Sequence, residues 1–174
     1  MIFEESNLKF TFQDDKWWIV KFDDDVNYIK VSKNLQNTRG VDFVGIYNSR
    51  NLFFFEIKNF RNHTMDDQTQ IRLANGAEDL TTEIAQKVKD SVACIVGASR
   101  NATNESNKWK DACNIISNNK PFNIIAWIEE DDPNTEYKRK KRKAYLSTRI
   151  SKLKNKLHWL TSRVFIENIK ENQE

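Results

Sequence analysis

Two apolar runs split by a short polar turn constrain this chain more than any other feature. Val41–Tyr47 and Leu52–Ile57 flank Asn48-Ser49-Arg50-Asn51. Runs of this length, rich in β-branched and aromatic residues and separated by turn formers, predict a β-hairpin. Asp42 stands at the entrance of the first strand, and Glu56 and Lys58 stand at the exit of the second. In an antiparallel pair those two ends are neighbours. The two-residue period of a strand sends Glu56 and Lys58 to one face and Ile57 to the other. An odd loop or a bulge around Asn48–Asn51 sets Asp42 opposite Glu56 on that face, with Cβ atoms about 4.5–5.5 Å apart. An even, regular loop turns Asp42 away.

The 174 residues predict a single domain over 1–174, large enough to bury roughly 70% of its unfolded surface. At 39% apolar and 30% charged residues, a globular chain with a heavily charged coat is expected. No stretch approaches the roughly 18 apolar residues of a membrane span. The acidic start Met1-Ile2-Phe3-Glu4-Glu5 lacks the basic region of a signal peptide, so a cytoplasmic location is expected. Cys94 and Cys113 then read as unpaired thiols. Charge is divided: Met1–Asn134 carries 16 basic and 21 acidic residues, Thr135–Glu174 carries 12 basic and 4 acidic. The C-terminal third therefore suits a polyanionic partner.

Along the chain, Leu8–Phe12 and Trp17–Phe22 predict a first hairpin across Gln13–Lys16. Asp23-Asp24-Asp25 offers N-caps for a helix to about Leu35, with Gly40 as its C-terminal stop. Asn59–Gly76 reads as a long polar loop. Ala77–Asp90 predicts a helix with Leu80, Ile84 and Val88 on one face, and Ser91–Gly97 a buried strand. Lys108–Ser117 predicts a helix and Phe122–Ile128 another buried strand. A long basic helix follows over Thr135–Leu157, with Leu146, Ile150, Leu153 and Leu157 as its packed stripe, and then a final strand within Ser162–Ile169.

Acid-x-Lys occurs three times, as Asp14–Lys16, Glu56–Lys58 and Glu136–Lys138. The first falls in a turn and the last opens a helix. Only Glu56-Ile57-Lys58 ends an apolar strand whose hairpin partner bears an acid. With a helix before the hairpin and a helix and strand after it, the order resembles the PD-(D/E)xK nuclease superfamily and its restriction-endonuclease-like αβββαβ core. The resemblance spans about residues 24–130, with Val41 where the family name has Pro. It implies an α/β fold with a central mixed sheet flanked by helices, to which this chain adds the basic helix and strand of 135–169. It also implies a DNA-cleaving, Mg²⁺-dependent enzyme with Asp42, Glu56 and Lys58 as catalytic residues, Mn²⁺ substituting for Mg²⁺. A homodimer is compatible, since cutting both strands commonly needs two sites. Glu4, Glu5, Asp24 and Asp25 are candidates for the further acid that some members add upstream.

The chemistry agrees. Phosphodiester hydrolysis needs an activated water and a sink for charge on the phosphoryl oxygens, both of which a hard divalent ion supplies. Mg²⁺ binds through one or two carboxylates and keeps several waters. Asp42 and Glu56 provide the carboxylates, the backbone carbonyl of Ile57 a third oxygen, and Lys58 orients or deprotonates the water or stabilises the developing charge. Lys138-Arg139-Lys140-Lys141-Arg142-Lys143 reads as a phosphate-backbone clamp, or alternatively as a solvated face countered by the acids Glu129–Asp132. Arg61, Asn59 and Gln70 flank the site as further phosphate contacts, each more often an ordinary loop residue. Lys87, on the helix after the site, is a further candidate for the cleft, though a lysine on an amphipathic helix is more often solvated. His63 and His158 lack ligand partners for zinc. The alternative function is a non-catalytic nucleic-acid-binding or assembly module of the same fold.

Overall fold

The protein is described from a computed structural model, which covers residues 1–62, 69, 73 and 78–169. Most of the loop expected at Asn59–Gly76, including His63 and Gln70, and the tail from Lys170 lie outside the described residues. Seven strands and four helices are described: β1 (Ile2–Glu5), β2 (Leu8–Thr11), β3 (Trp17–Lys21), α1 (Val26–Asn34), β4 (Phe43–Tyr47), β5 (Asn51–Asn59), α2 (Glu78–Asn101), α3 (Ser106–Ser117), β6 (Phe122–Glu129), α4 (Glu136–Leu157) and β7 (Val164–Glu167). Strands β3-β4-β5-β6-β7 form one mixed sheet in that order, while β1 and β2 pair only with each other. Strand β4 runs antiparallel to its neighbours β3 and β5, and β6 and β7 continue parallel to β5.

The central hairpin forms where the sequence places it. Tyr47 pairs with Asn51 across Asn48-Ser49-Arg50. Asn48 and Ser49 both adopt left-handed φ angles of 48° and 55°, and the Arg50 N–H donates to the Tyr47 carbonyl at 3.1 Å. Such a turn matches the strand twist, and the extra Arg50 makes the loop odd. The register Phe43↔Phe55, extended by one residue, sets Asp42 opposite Glu56.

Three expectations are corrected. Leu8–Phe12 and Trp17–Phe22 do not pair with each other: β2 pairs with β1 across Ser6-Asn7, and β3 pairs with β4. Ser6 and Asn7 take left-handed φ values of 52° and 61°, a turn that Asn supports and Ser disguises in the sequence. Ser91–Gly97 is helical, the second half of the 24-residue α2. Its buried residues Ser91, Cys94, Ile95 and Ala98 fall at i, i+3, i+4 and i+7, and no turn former separates them from the preceding helix. The strand parallel to β5 is instead β6, reached through two helices. Gly40 is not the stop of α1, which ends at Asn34 and is followed by left-handed Asn37 (φ 65°). A Cβ on Gly40 would sit 2.9 Å from the Tyr28 ring, so close packing explains this glycine.

The described helices lie on one face of the sheet. Core residues of α2, α3 and α4 join Val44, Ile46, Leu52, Phe54, Ile124 and Val164 in one cluster, with Tyr28 and Val31 of α1 packed against it. The opposite face (Ile19, Phe43, Ile57) is covered by Leu8 and Phe12 of the β1–β2 unit. Trp17 joins this second cluster, whereas Trp18 stacks edge-on against Trp109 of α3. A strand also precedes α1 in the sheet, so the antiparallel triplet is interrupted by a helix. The architecture is mixed α/β, with four described helices gathered on one face of a five-stranded mixed sheet. No helix among the described residues is long and apolar enough to cross a membrane. Cys94 and Cys113 are both free thiols, and burial pushes the Cys94 thiol up to about 11.

Candidate active site

Even-numbered residues of β5 face the helices: Leu52 and Phe54 enter the core cluster, and Glu56 and Lys58 continue that row towards α2. Asp42 lies just before β4 and is held from two directions. Its N–H donates to the Phe55 carbonyl at 3.0 Å, and its Oδ2 accepts the Ile57 N–H at 2.6 Å. A strand residue's N–H and C=O point to the same side, so the Ile57 carbonyl also faces Asp42. Asp42 and Glu56 are 6% and 1% exposed, which is unusual for carboxylates unless they are paired.

They are paired, in part by a lysine from α2. Lys58 Nζ lies 3.0 Å from Glu56 Oε1 and 2.8 Å from Glu83 Oε1. Lys87 Nζ lies 2.7 Å from Glu56 Oε1 and 3.3 Å from Asp42 Oδ1, and donates to Glu56 Oε2 at 2.9 Å. Of its two placements, cleft or solvent, Lys87 therefore takes the cleft: its ammonium sits where both carboxylates point. Glu83 and Lys87 stand one turn apart on α2 and reach the same cluster. The signal was in the sequence, since Lys87 is seven residues beyond Leu80 and three beyond Ile84, on the packed stripe.

Burial, reinforced by the Asp42 charge, pushes the Glu56 carboxyl up to about 7 despite Lys87 and Lys58. Burial disfavours the Lys87 ammonium, but Glu56 and Asp42 outweigh it and hold Lys87 above the usual lysine value. Glu56 Oε1 accepts no well-directed hydrogen bond although two ammonium groups lie in ion-pair range. Two cations so close to one buried carboxylate oxygen mark a position that favours positive charge.

None of the upstream acids named from the sequence joins Asp42. Glu4 pairs with Lys9, Glu5 and Asp24 pair with Lys21, and Asp25 caps α1 by accepting from the Asn27 N–H. The residue missed is Asp23. It follows Phe22, whose N–H donates to the Asp42 carbonyl at 2.8 Å. Its Oδ1 is buried without a hydrogen-bond partner. Burial pushes its carboxyl up to about 6, with Lys21 opposing and Asp24, Asp42 and Glu5 adding to the rise.

Among the described residues no group of three or more His, Cys, Asp or Glu side chains is arranged to hold a metal ion. The donors present are two carboxylates and the Ile57 carbonyl. That set suits Mg²⁺ or Mn²⁺, hard ions that complete an octahedron with water, and does not suit zinc. The Lys87 ammonium, bridging Asp42 and Glu56, marks where a cation is stabilised.

The remaining candidates separate. Arg61 is paired: its guanidinium lies 2.5 Å from Glu129. Buried Glu129 also accepts from Trp127 Nε1 at 2.8 Å and the Ile169 N–H at 2.7 Å. Lys138, Arg139, Lys140, Lys141 and Lys143 lie exposed on the first turns of α4. Arg142 alone turns inward, within 3.7 Å of Glu130 and 3.9 Å of Asp132. The acidic string therefore counters one cation of the run and leaves the others outward. No family model, curated protein or solved structure matches the chain.

Proposed function

We propose that the protein is a divalent-metal-dependent nuclease that hydrolyses phosphodiester bonds of DNA. The observation that carries this reading is the convergence of the Asp42 and Glu56 carboxylates on one cation position, beside Lys58 on the same sheet face. Structural ion pairs do not need two buried acids crowded together, since that arrangement raises the Glu56 pKa and costs stability. Mg²⁺ bound by Asp42, Glu56 and the Ile57 carbonyl would supply a charge sink for the phosphoryl oxygens and a more acidic water. Asp42, fixed by the Phe55 carbonyl and the Ile57 N–H, keeps its Oδ1 aimed at that position. Lys58 places a positive charge beside the acids, and Glu83 fixes its ammonium in one orientation. Lys87 pairs with both acids at that position.

The test is cleavage of plasmid and linear DNA with Mg²⁺ or Mn²⁺, comparing the wild type with Glu56→Gln and Lys58→Ala. Loss of cleavage in both variants is the expected result. Activity that survives both substitutions sinks the assignment. A second reading, a non-catalytic nucleic-acid-binding module, draws on the Lys87 ammonium already occupying the cation position. It takes over if the wild type binds DNA but neither cleaves it nor gains thermal stability from Mg²⁺.

A further inference from the structure

We propose that α4 is a helix that inserts into the major groove of B-form duplex DNA. The proposal rests on the preceding reading only in taking nucleic acid as the partner, and not on cleavage. Over Glu136–Leu157 the helix carries ten Lys or Arg residues and one acid, Glu136. Solvated helices usually mix signs, because like charges at i, i+3 and i, i+4 repel. Internal partners reach Arg142 and Arg149, through Glu130 and Asp132, and Lys140, through Glu136, and Lys152 and Lys156 have partners too.

The placement of the cations narrows the partner. Leu146, Ile150, Leu153 and Leu157 pack into the core, which fixes how the helix is rotated. At 3.6 residues per turn, Lys138 and Lys141 then form one flank, and Lys140, Lys143 and Lys154 the other; all five are exposed. Between the flanks, on the side away from the body, stand Tyr137 at the start of the helix and then Ala144, Thr148 and Ser151, small and also exposed. A single phosphate backbone lying on the helix would engage one flank and leave the other idle. A groove with a phosphate wall on each side engages both. The major groove of B-DNA is about 12 Å wide and admits an α-helix, whereas that of A-form RNA is deep and narrow. A lipid surface fits poorly, because the helix's apolar stripe is spent on the core and its outward face offers a single aromatic side chain, Tyr137, to sink into a bilayer.

The experiment measures binding by fluorescence anisotropy without divalent ions, using Glu56→Gln in the full chain so that cleavage and binding are read separately. The probes are a 20-base-pair DNA duplex, its single strand, an RNA duplex of the same sequence and anionic vesicles. The expected result is at least tenfold preference for the DNA duplex. Bulky substituents on pyrimidine C5, which project into the major groove, should abolish that preference. Lys141→Gln and Lys143→Gln, on opposite flanks, should each weaken duplex binding and each reduce the salt slope by about 0.9. Ala144→Phe should weaken it without changing the melting temperature. Equal affinity for single strands, indifference to C5 bulk, a response from one flank only, or tighter binding to vesicles or RNA overturns the proposal. Cleavage by the wild type with none of this groove dependence removes the docking mode and leaves the nuclease reading standing. Groove binding by a wild type that never cleaves does the reverse.

Discussion

Two charge-rich regions of this protein are organised in opposite ways. Beneath α2, Asp42, Glu56, Lys58, Glu83 and Lys87 alternate in sign within ion-pair distances and are largely shielded from water. Along the first turns of α4, cations of one sign stand in solvent with little to offset them. The buried cluster strains the fold, because desolvated carboxylates are kept side by side. The exposed run leaves the fold almost untouched. Function placed in the first region should therefore be visible as a stability cost, and function in the second only as binding. Substitutions in the two regions should separate along those lines.

The largest effect is expected on cleavage. Glu56→Gln keeps the shape but removes a charge from the cation position, and should lower turnover by about 10³-fold, equivalent to about 4 kcal/mol. Measured by single-turnover cleavage, a loss below about tenfold would place the chemistry elsewhere.

Next is the dependence of stability on pH. A carboxyl whose pKa is higher in the folded than in the unfolded chain stabilises the fold while protonated. That contribution is complete below the unfolded value and disappears as pH rises through the folded one. For Glu56 the limits are 4.5 and about 7, so stability should fall between pH 5 and pH 8 by on the order of 3 kcal/mol. Asp23 adds a smaller slope of the same sign, complete below 3.8 and lost through about 6. Urea titrations across this range should show the decline in the wild type and a flatter profile in Glu56→Gln. A wild type whose stability rises from pH 5 to pH 8 contradicts the burial of an ionising Glu56.

How much of this was legible follows from the range of the interactions involved. The central hairpin and the shared face of Glu56 and Lys58 depend on residues close in sequence, where strand period and turn chemistry suffice. The parity of the loop, which brings Asp42 to that face, is decided by the register Tyr47↔Asn51. The capping of α1 by Asp25 and the stripe of α4 are local in the same sense. Ser91–Gly97 was misassigned because a short apolar run fits a buried strand and a helix equally, and the missing turn before it was the deciding clue. Lys87 needed a tertiary fact, that this part of α2 lies over the ends of β4 and β5. The Arg61–Glu129 pair is likewise a tertiary fact, since its members lie 68 residues apart. Asp23 was hidden among three aspartates, of which only burial in the fold selects one.

A third effect tests the cluster through its cation. Lys87→Met leaves Asp42 without its ammonium partner and Glu56 with Lys58 alone. Removing one member of a buried pair costs several kcal/mol. Because Lys87 keeps 17% side-chain exposure, about 2 kcal/mol is expected at pH 8. The loss should shrink at pH 5, where Glu56 takes up a proton. Mg²⁺ should restore much of it, since a ligand at 100 times its dissociation constant adds about 2.7 kcal/mol. Melting curves of Lys87→Met with and without Mg²⁺ report this without any substrate. If Mg²⁺ raises the melting temperature of the wild type and the variant equally, Lys87 does not share the cation position.

Lys143→Gln should have the smallest effect on stability, and one opposite in sign to that of Lys87→Met. Lys143 is exposed, and its helix neighbours three and four residues back, Lys140 and Arg139, are both cations. Like-charge pairs at these spacings cost about 0.2–0.5 kcal/mol each, so removing one charge should leave the melting temperature unchanged or slightly raised. Duplex affinity should nonetheless fall severalfold at moderate salt, with turnover at saturating DNA unchanged. The same elementary change, one lysine made neutral, would then destabilise the fold under α2 and relieve it on α4. A Lys143→Gln variant that melts several degrees lower would show that the basic run is held by the fold after all, and that the two regions do not differ in kind.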